Sequence, residues 1–259
     1  MSLPFLSAEH FNAFVLVLLR VSAIIVTIPV ISEATVPAKV KAALSIIVSL
    51  IIFPLVASQI PSINQLHFIE LIFRMIGEVL IGVTIGFVAR LVFAGIRMAG
   101  DIIGFQMGFS VANVIDPMTS QMSSVITELQ YLIAMLVFLT VNAHHLFFQA
   151  IIQSYALLAP LSFHFSGQLM QFIFDTSRDI FVIALKISAP IMAVMIFTNV
   201  GLGVMARTVP QMNIFIVGFP LQISLGLIFL GITAPLFVHI TQAIFISLEG
   251  KIVTMMRLM

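Results

Sequence analysis

Charged residues are scarce in this 259-residue chain: Asp, Glu, Lys and Arg together make up 8% of it, against about 25% in an ordinary soluble domain. Hydrophobic residues account for 61%, and the mean hydropathy is +1.23. A soluble fold of this length cannot hide so much apolar surface, because the exterior of a soluble protein is already largely apolar. The composition therefore excludes a soluble enzyme and indicates a membrane protein.

Cysteine and tryptophan are absent, and tyrosine occurs only twice, although Phe occurs 24 times. Without cysteine the chain has no disulfide, no thiol nucleophile and no cysteine-ligated metal. Without Trp and with little Tyr, the usual aromatic belt at the lipid interfaces is missing. This absence reflects either sampling in one small protein or a surface that largely faces protein partners instead of lipid. The net charge of +1 provides no basic field for nucleic acid.

The apolar runs are long enough to cross a bilayer, which takes about 20 mainly apolar residues. They predict an all-α membrane protein of about six long, partly kinked helices in a single unit, with spans near 11–31, 40–60, 68–95, 125–157, 180–202 and 213–246. The fourth and sixth spans exceed one straight crossing, so each is expected to be a kinked helix or a hairpin. The first Lys or Arg is Arg20, inside the first run, so we expect that run to belong to the mature protein and not to a cleaved signal.

The loop charges do not orient these six spans. One side receives five basic residues and the other side also receives five, so the positive-inside rule favours neither orientation. The first set is Lys39, Lys41, Arg90, Arg97 and Arg207, and the second is Arg74, Arg178, Lys186, Lys251 and Arg257.

Several charges lie inside the apolar runs at helical spacing. Glu70, Arg74 and Glu78 follow each other at i, i+4 and i+8, so they are expected to neutralise one another on one helix face. Arg97 and Asp101 are one turn apart and are expected to form a structural pair. Charges at membrane depth usually face a bundle interior or an aqueous cavity, so a polar conduit or a partner contact is the alternative to a structural ladder.

A polar segment interrupts the apolar chain after a run of glycines. Gly82 and Gly86 are four residues apart, and Gly100, Gly104 and Gly108 repeat that spacing, which allows helix backbones to approach closely. The stretch that follows reaches Asp116-Pro117, where proline disfavours helix. Irregular backbone at membrane depth must be buried in protein or line a cavity, and the flanking methionines suit a deformable seal. An ordinary surface loop is the alternative interpretation.

Catalytic and metal-binding patterns do not occur. His144 and His145 are adjacent, so on a helix they point about 100° apart, and no HExxH or GxSxG motif accompanies them. We expect no catalytic residue, no metal site and no cofactor.

In chain order, seven segments resemble the FliR family, the R-type subunits of the bacterial flagellar type III export gate. They span about residues 15–235, and the last is the most specific. They are 20–29, Val36-Pro-Ala-Lys-Val-Lys41, Glu78-xxx-Gly82-xxx-Gly86, 99–110 with Asp116-Pro117, Phe138-Leu-Thr-Val-Asn-Ala-His-His145, Ser154-Tyr-Ala-Leu-Leu-Ala-Pro160 and 206–220. Ala143 departs from the glycine usual before the histidines.

The resemblance implies a non-enzymatic subunit of a closed helical channel, raised from the bacterial inner membrane in the flagellar basal body. Its partners would be the P and Q subunits (FliP and FliQ), FlhB and FlhA. The proteins that pass through the channel would be unfolded flagellar export substrates. Residues 1–175 would be similar to a P subunit, and residues 180–250 to the helical hairpin of a Q subunit.

The resemblance also assigns roles to residues. The segment Gln106–Met122 would plug the pore, and its candidate gating residues are Gln106, Met107, Gly108, Phe109, Ser110, Asn113, Asp116, Pro117, Met118 and Met122. The candidate intramembrane charges rest on their helical spacing and not on the resemblance: they are Glu70, Arg74, Glu78, Arg97 and Asp101. The signature segment contributes Arg207, Pro210, Gln211, Asn213, Phe215, Gly218 and Pro220.

Three alternatives remain at this point. The T subunit of a virulence injectisome would share the same pattern. A small-molecule secondary transporter would show two corresponding halves with paired broken helices, and these halves do not resemble one another. An intramembrane enzyme would need a constellation of reactive groups that the sequence does not contain.

Overall fold

The computed structural model describes residues 8–57, 60, 68–109, 124–211 and 213–259. Their regular elements are seven helices: α1 (Ala8–Thr27), α2 (Ala38–Val56), α3 (Phe68–Gln106), α4 (Val125–Thr140), α5 (Ala143–Leu157), α6 (Gly167–Thr208) and α7 (Ile214–Leu258). The prediction of an all-α membrane protein is confirmed. By length and composition α1, α2, α3, α6 and α7 can each cross a membrane, and the broken pair α4–α5 can supply a sixth crossing.

Each predicted span contains helix, but the helices are longer than the spans. Helix α3 continues to Gln106, past the predicted end at residue 95, and α6 begins at Gly167, ahead of the predicted start at residue 180. The predicted spans stop at charged residues such as Arg97 and Arg178, whereas backbone hydrogen bonding continues through them. A charged residue therefore marks the end of an apolar run, but it does not mark the end of the helix.

The two overlong spans differ from each other. The fourth is broken at Val141–Asn142, where Asn142 has a left-handed backbone with φ of 54°, a conformation that asparagine adopts more readily than most residues. The sixth is one helix of 45 residues with Pro220 and Pro235 inside it, so it is not a hairpin.

Three helices are much longer than a bilayer is thick. Helices α3, α6 and α7 contain 39, 42 and 45 residues, which at 1.5 Å per residue gives contour lengths of about 58, 63 and 68 Å. The hydrocarbon core measures about 30 Å. Each of these helices therefore continues well beyond one membrane crossing.

The chain divides into two compact units. The first contains Met1–Leu91, Asn142–Ser177 and Ile246–Met259. Within it α1 packs on α2, with the Phe14 and Phe53 rings edge to face at 5.8 Å. Lys41 Nζ donates to the carbonyl oxygens of Ser32 and Glu33, at 3.0 Å each, and so ties the α1–α2 turn to the start of α2.

The second unit contains Val92–Val141 and Arg178–Phe245. An aromatic group fills one part of its interior, with ring centroids 5.2–5.6 Å apart, and comprises Phe93, Phe138 and Phe245. A second buried cluster joins α3, α4 and α6, and comprises Ile103, Met107, Ile126, Ile191 and Met195. This cluster holds the end of α3, from which the predicted gating segment begins.

Candidate functional site

Arg20 forms a fully buried ion pair with Glu78 in the first unit. Its Nε donates to Glu78 Oε2 at 2.5 Å and its Nη2 donates to Oε1 at 3.0 Å, which is the two-pronged geometry that guanidinium and carboxylate favour. The two side chains are 0% and 1% exposed. Helices α1 and α3 are thus joined by a charge pair from which water is excluded.

Other atoms of this pair also have partners. Arg20 Nη1 donates to the carbonyl oxygens of Ser154 and Leu158 at 3.0 and 3.2 Å, and the guanidinium carbon lies 4.2 Å from the centroid of the Tyr155 ring. Glu78 Oε1 also accepts the backbone N–H of Leu161 at 2.7 Å. A buried polar network is stable when each member is satisfied in this way.

The network fixes the turn after α5 as well as two helices. Leu161 has a left-handed backbone with φ of 68°, which is strained for a branched side chain and is held by its hydrogen bond to Glu78. Further along, His164 N donates to the Met259 carbonyl at 3.1 Å, and Ser166 Oγ donates to the Leu258 carbonyl at 2.6 Å. The turn therefore connects α1 and α3 to the last residues of α7.

This arrangement corrects one prediction and confirms another. Glu70 and Arg74 pair at 2.6 Å as expected, but Glu78 pairs with Arg20 and not with Arg74. The spacing of Glu70, Arg74 and Glu78 correctly predicts that they share a helix. It does not identify the partner of Glu78, because that partner comes from another helix. Three of the segments that carry the family resemblance meet in this network: 20–29, 78–86 and 154–160.

Arg97 and Asp101 do not form the predicted pair. Arg97 Nη1 lies 3.6 Å from Glu128 Oε1, and its guanidinium carbon lies 3.9 Å from the centroid of the Tyr131 ring, whereas Asp101 Oδ1 accepts the hydroxyl of Thr127 at 2.7 Å. All these partners belong to α4, which packs alongside. Arg97 and Glu128 are 41% and 46% exposed, so their ion pair contributes little. Exchanging Arg97 and Asp101 is therefore not expected to restore either contact.

The predicted glycine spacing brings helix backbones together as expected. A Cβ at Gly82 would lie 2.6 Å from Ala23 Cβ and 2.7 Å from the Arg20 carbonyl oxygen, and a Cβ at Gly86 would collide with Thr27. A Cβ at Gly100 would lie 2.6 Å from Thr127 Cα, on α4. The same helix that carries Glu78 thus touches α1 through its glycines.

We expect Gly82→Ala to destabilise the protein by about 1–3 kcal/mol, because overpacking a close helix contact forces backbone movement. The matched control is Gly201→Ala on α6, where nothing lies within 4 Å of the added carbon and the higher helix propensity of alanine applies. The measurement is the thermal midpoint of the purified complex. Equal midpoints for Gly82→Ala and the wild type would show that this contact does not limit stability.

The predicted gating segment is described only at its start. Met107 is fully buried, Gly108 has a φ of +86°, and Phe109 is partly buried against the same cluster as Met107. The candidates Ser110, Asn113, Asp116, Pro117, Met118 and Met122 lie outside the described residues. Met107 therefore belongs to a packed core at the point where the segment leaves α3.

The signature segment forms the connection between α6 and α7 and the first turns of α7. Arg207, Pro210, Gln211 and Asn213 are exposed, Gly218 is buried and Pro220 is exposed. Phe215 lies in the first turn of α7. The helices on either side of this connection contact each other, since Gln222 Nε2 donates to Asn199 Oδ1 at 2.5 Å. The segment thus closes a pair of antiparallel helices.

The histidine pair lies in the first turn of α5. The His144 and His145 rings stack with centroids 4.3 Å apart. Among the described residues, no group of three or more His, Asp or Glu side chains could hold a metal ion.

Comparison with known proteins adds independent information. The family described as "Bacterial export proteins, family 1" matches residues 11–248. The chain is 38% identical over 226 residues to the flagellar biosynthetic protein FliR of Bacillus subtilis strain 168, covering 86% of each chain. It is 31% identical to the protein of that name from Escherichia coli K12, covering 90% of this chain and 88% of the relative. The Aquifex aeolicus FliR is 26% identical over 89% of this chain.

Proposed function

Because the chain belongs to bacterial export proteins, family 1, we propose that it is a non-enzymatic subunit of the flagellar type III protein export gate. The observation that carries this proposal is the match to FliR proteins along most of both chains, at 38% identity in one case. The architecture agrees with it, since five long apolar helices and a broken pair suit a membrane-embedded component.

The partners in this proposal are the P and Q subunits, FliP and FliQ, followed by FlhB and FlhA, in the bacterial inner membrane. Large apolar side chains project from the long helices and support extensive coverage by protein and lipid: Phe197 is 77% exposed, and Ile216 and Ile246 are each 70% exposed. Helices of about 58–68 Å exceed one bilayer crossing. Their length supports a complex raised from the membrane plane.

The internal division of the subunit remains part of the proposal. Helices α6 and α7 are joined by a short connection and contact each other across it through Asn199 and Gln222. This geometry supports the assignment of residues 180–250 as a hairpin similar to a Q subunit. Residues 1–175 would then be similar to a P subunit.

The gating role is assigned to Gln106–Met122, which would close the pore to ions when no unfolded flagellar protein is passing through it. A pore is sealed by steric exclusion of water and ions. The support for this role is the start of the segment: Gln106 ends α3, and the buried Met107 and the left-handed Gly108 follow it directly. It also includes the most polar stretch of an otherwise apolar chain.

Co-expression tests the proposed function. We expect the chain expressed alone to be sensitive to protease and to aggregate in detergent, because its long apolar helices need neighbours. With the P and Q subunits from the same organism it should co-purify and become protease-resistant, and it should restore swimming to cells that lack their own R-type subunit. A small-molecule transporter would instead purify alone as a monodisperse species, and that result would contradict the proposal.

A further inference from the structure

Gln130 carries a buried amide oxygen that no other side chain or backbone group satisfies. The residue lies on α4 and is 4% exposed, and its Oε1 atom has no hydrogen-bond partner among the residues that the structure describes. Nearly all buried polar atoms in folded proteins have a partner, which is either another protein group or an ordered water. The surroundings of this oxygen therefore need a hydrogen-bond donor.

A small cavity lies beside Gln130, between α4, α6 and α7 of the second unit. Its volume is about 20 Å³, and most of its wall is apolar, with Ile187 and Ile191 on α6 and Phe237 on α7. A cavity needs about 10–15 Å³ of such space to hold one water molecule. The size of the cavity therefore selects a water molecule over any larger ligand.

Thr233 of α7 is a second polar side chain in the wall of this cavity. Its hydroxyl donates to the carbonyl oxygens of Phe229 and Leu230, at 2.8 and 3.4 Å. The lone pairs of its Oγ1 atom can still accept a hydrogen bond, as can the amide oxygen of Gln130. The cavity thus offers two acceptors, and a water molecule has two protons to donate.

Prolines interrupt both long helices next to the cavity. Pro190 of α6 forms part of the wall, and Pro235 of α7 directly follows Thr233 and Ala234, which also line it. Each proline lacks an N–H and so removes one backbone hydrogen bond from its helix. Inside a membrane, neighbouring helices and ordered waters compensate for such breaks. The cavity therefore lies where α6 and α7 are both locally weakened.

We propose that this cavity binds one water molecule, which donates one hydrogen bond to Gln130 Oε1 and the other to Thr233 Oγ1. The water joins α4 to α7 through a polar contact at the level of the two prolines, and it stabilises the packing of these helices. The proposal follows from the cavity and its polar groups alone, so it does not depend on the proposed function.

A double-mutant cycle tests this bridge, with the thermal midpoint of the protein purified with its partners as the measurement. Thr233→Val removes one acceptor and should lower the midpoint, because the water keeps only one partner. Gln130→Met places an apolar side chain of similar length in the cavity and displaces the water, so its midpoint should stay near the wild-type value. In the Gln130→Met background, Thr233→Val should lower the midpoint by less than half as much, which is the non-additive behaviour of coupled residues.

Thr198→Val is the matched control on α6. Thr198 is also half-buried and its hydroxyl donates to the Val194 carbonyl at 2.8 Å, but it does not line the cavity. Its effect should therefore add to that of Gln130→Met. Additive effects of Gln130→Met and Thr233→Val, or equal non-additivity for Thr198→Val, would overturn the bridge.

Cryo-electron microscopy of the wild-type complex tests the site directly, and it decides the matter even if a variant does not assemble. At a resolution that shows ordered waters, we expect density within about 3.2 Å of both Gln130 Oε1 and Thr233 Oγ1. A map that shows ordered waters elsewhere in the protein interior but none in this cavity would contradict the proposal.

Discussion

Replacing Arg20 with alanine is expected to remove nearly all assembled complex from the membrane and to abolish swimming. Among the described residues, the substitution leaves the buried Glu78 carboxylate with the Leu161 N–H as its one hydrogen-bond donor, and it frees the carbonyl oxygens of Ser154 and Leu158. Breaking a buried pair by removing one member costs about 3–5 kcal/mol. That is a large share of the roughly 5–15 kcal/mol by which a folded protein is stable.

Two other variants serve as controls for Arg20→Ala. Arg74→Ala breaks an ion pair whose members are 40% and 44% exposed and should cost no more than about 1 kcal/mol. Arg20→Lys keeps the positive charge but loses the two-pronged contact, so its yield should be intermediate. The measurement is the amount of detergent-extracted complex for each variant. Wild-type yield for Arg20→Ala with lost export would show that Arg20 serves transport and not assembly.

Removing residues 110–122 should leave the complex assembled but permeable to small ions, and the cells should grow slowly. The deletion begins after Phe109 because Met107 belongs to a buried cluster, and truncating a buried methionine costs about 2–5 kcal/mol. A pore sealed by a segment of its own wall conducts when that segment is lost. The measurement is ion leakage, alongside the amount of complex.

A deletion that extends back to Gln106 serves as the comparison. It also removes Met107 from the buried cluster, so it should lower the yield of complex in addition to causing leakage. Wild-type conductance from a fully assembled complex without residues 110–122 would contradict the assignment of this segment as the plug.

The helices of this protein are largely predictable from its sequence, because their cause is local. Runs of apolar residues of sufficient length identify every span, and Glu70 and Arg74 pair as their spacing indicates. Glycine spacing correctly predicts that α3 approaches another helix closely. The helix ends are less predictable, since a charge such as Arg97 ends an apolar run without interrupting the hydrogen bonds of the helix.

The partners of the charged side chains were not predictable, because spacing shows only which residues share a face. Arg97 and Asp101 are one turn apart, yet each contacts α4 instead of the other. Arg20 was missed altogether as a site residue, although it is the only charge inside the first apolar run. Such an isolated charge needs a partner, and that signal indicates an important residue without identifying Glu78.

The wide separation of the Arg20 partners along the chain has a consequence for biosynthesis. Glu78 is 58 residues away, and the carbonyl groups of Ser154 and Leu158 are 134 and 138 residues away. At a synthesis rate of roughly 5–20 residues per second, Arg20 enters the translocon on the order of ten seconds before those carbonyls exist. An arginine at the centre of a helix raises the free energy of membrane insertion by about 2.5–3.5 kcal/mol. The first helix is therefore only weakly stable in the bilayer during that interval. A nascent chain released before residue 158 should therefore leave α1 easily extracted by alkaline carbonate, whereas the completed chain should resist extraction.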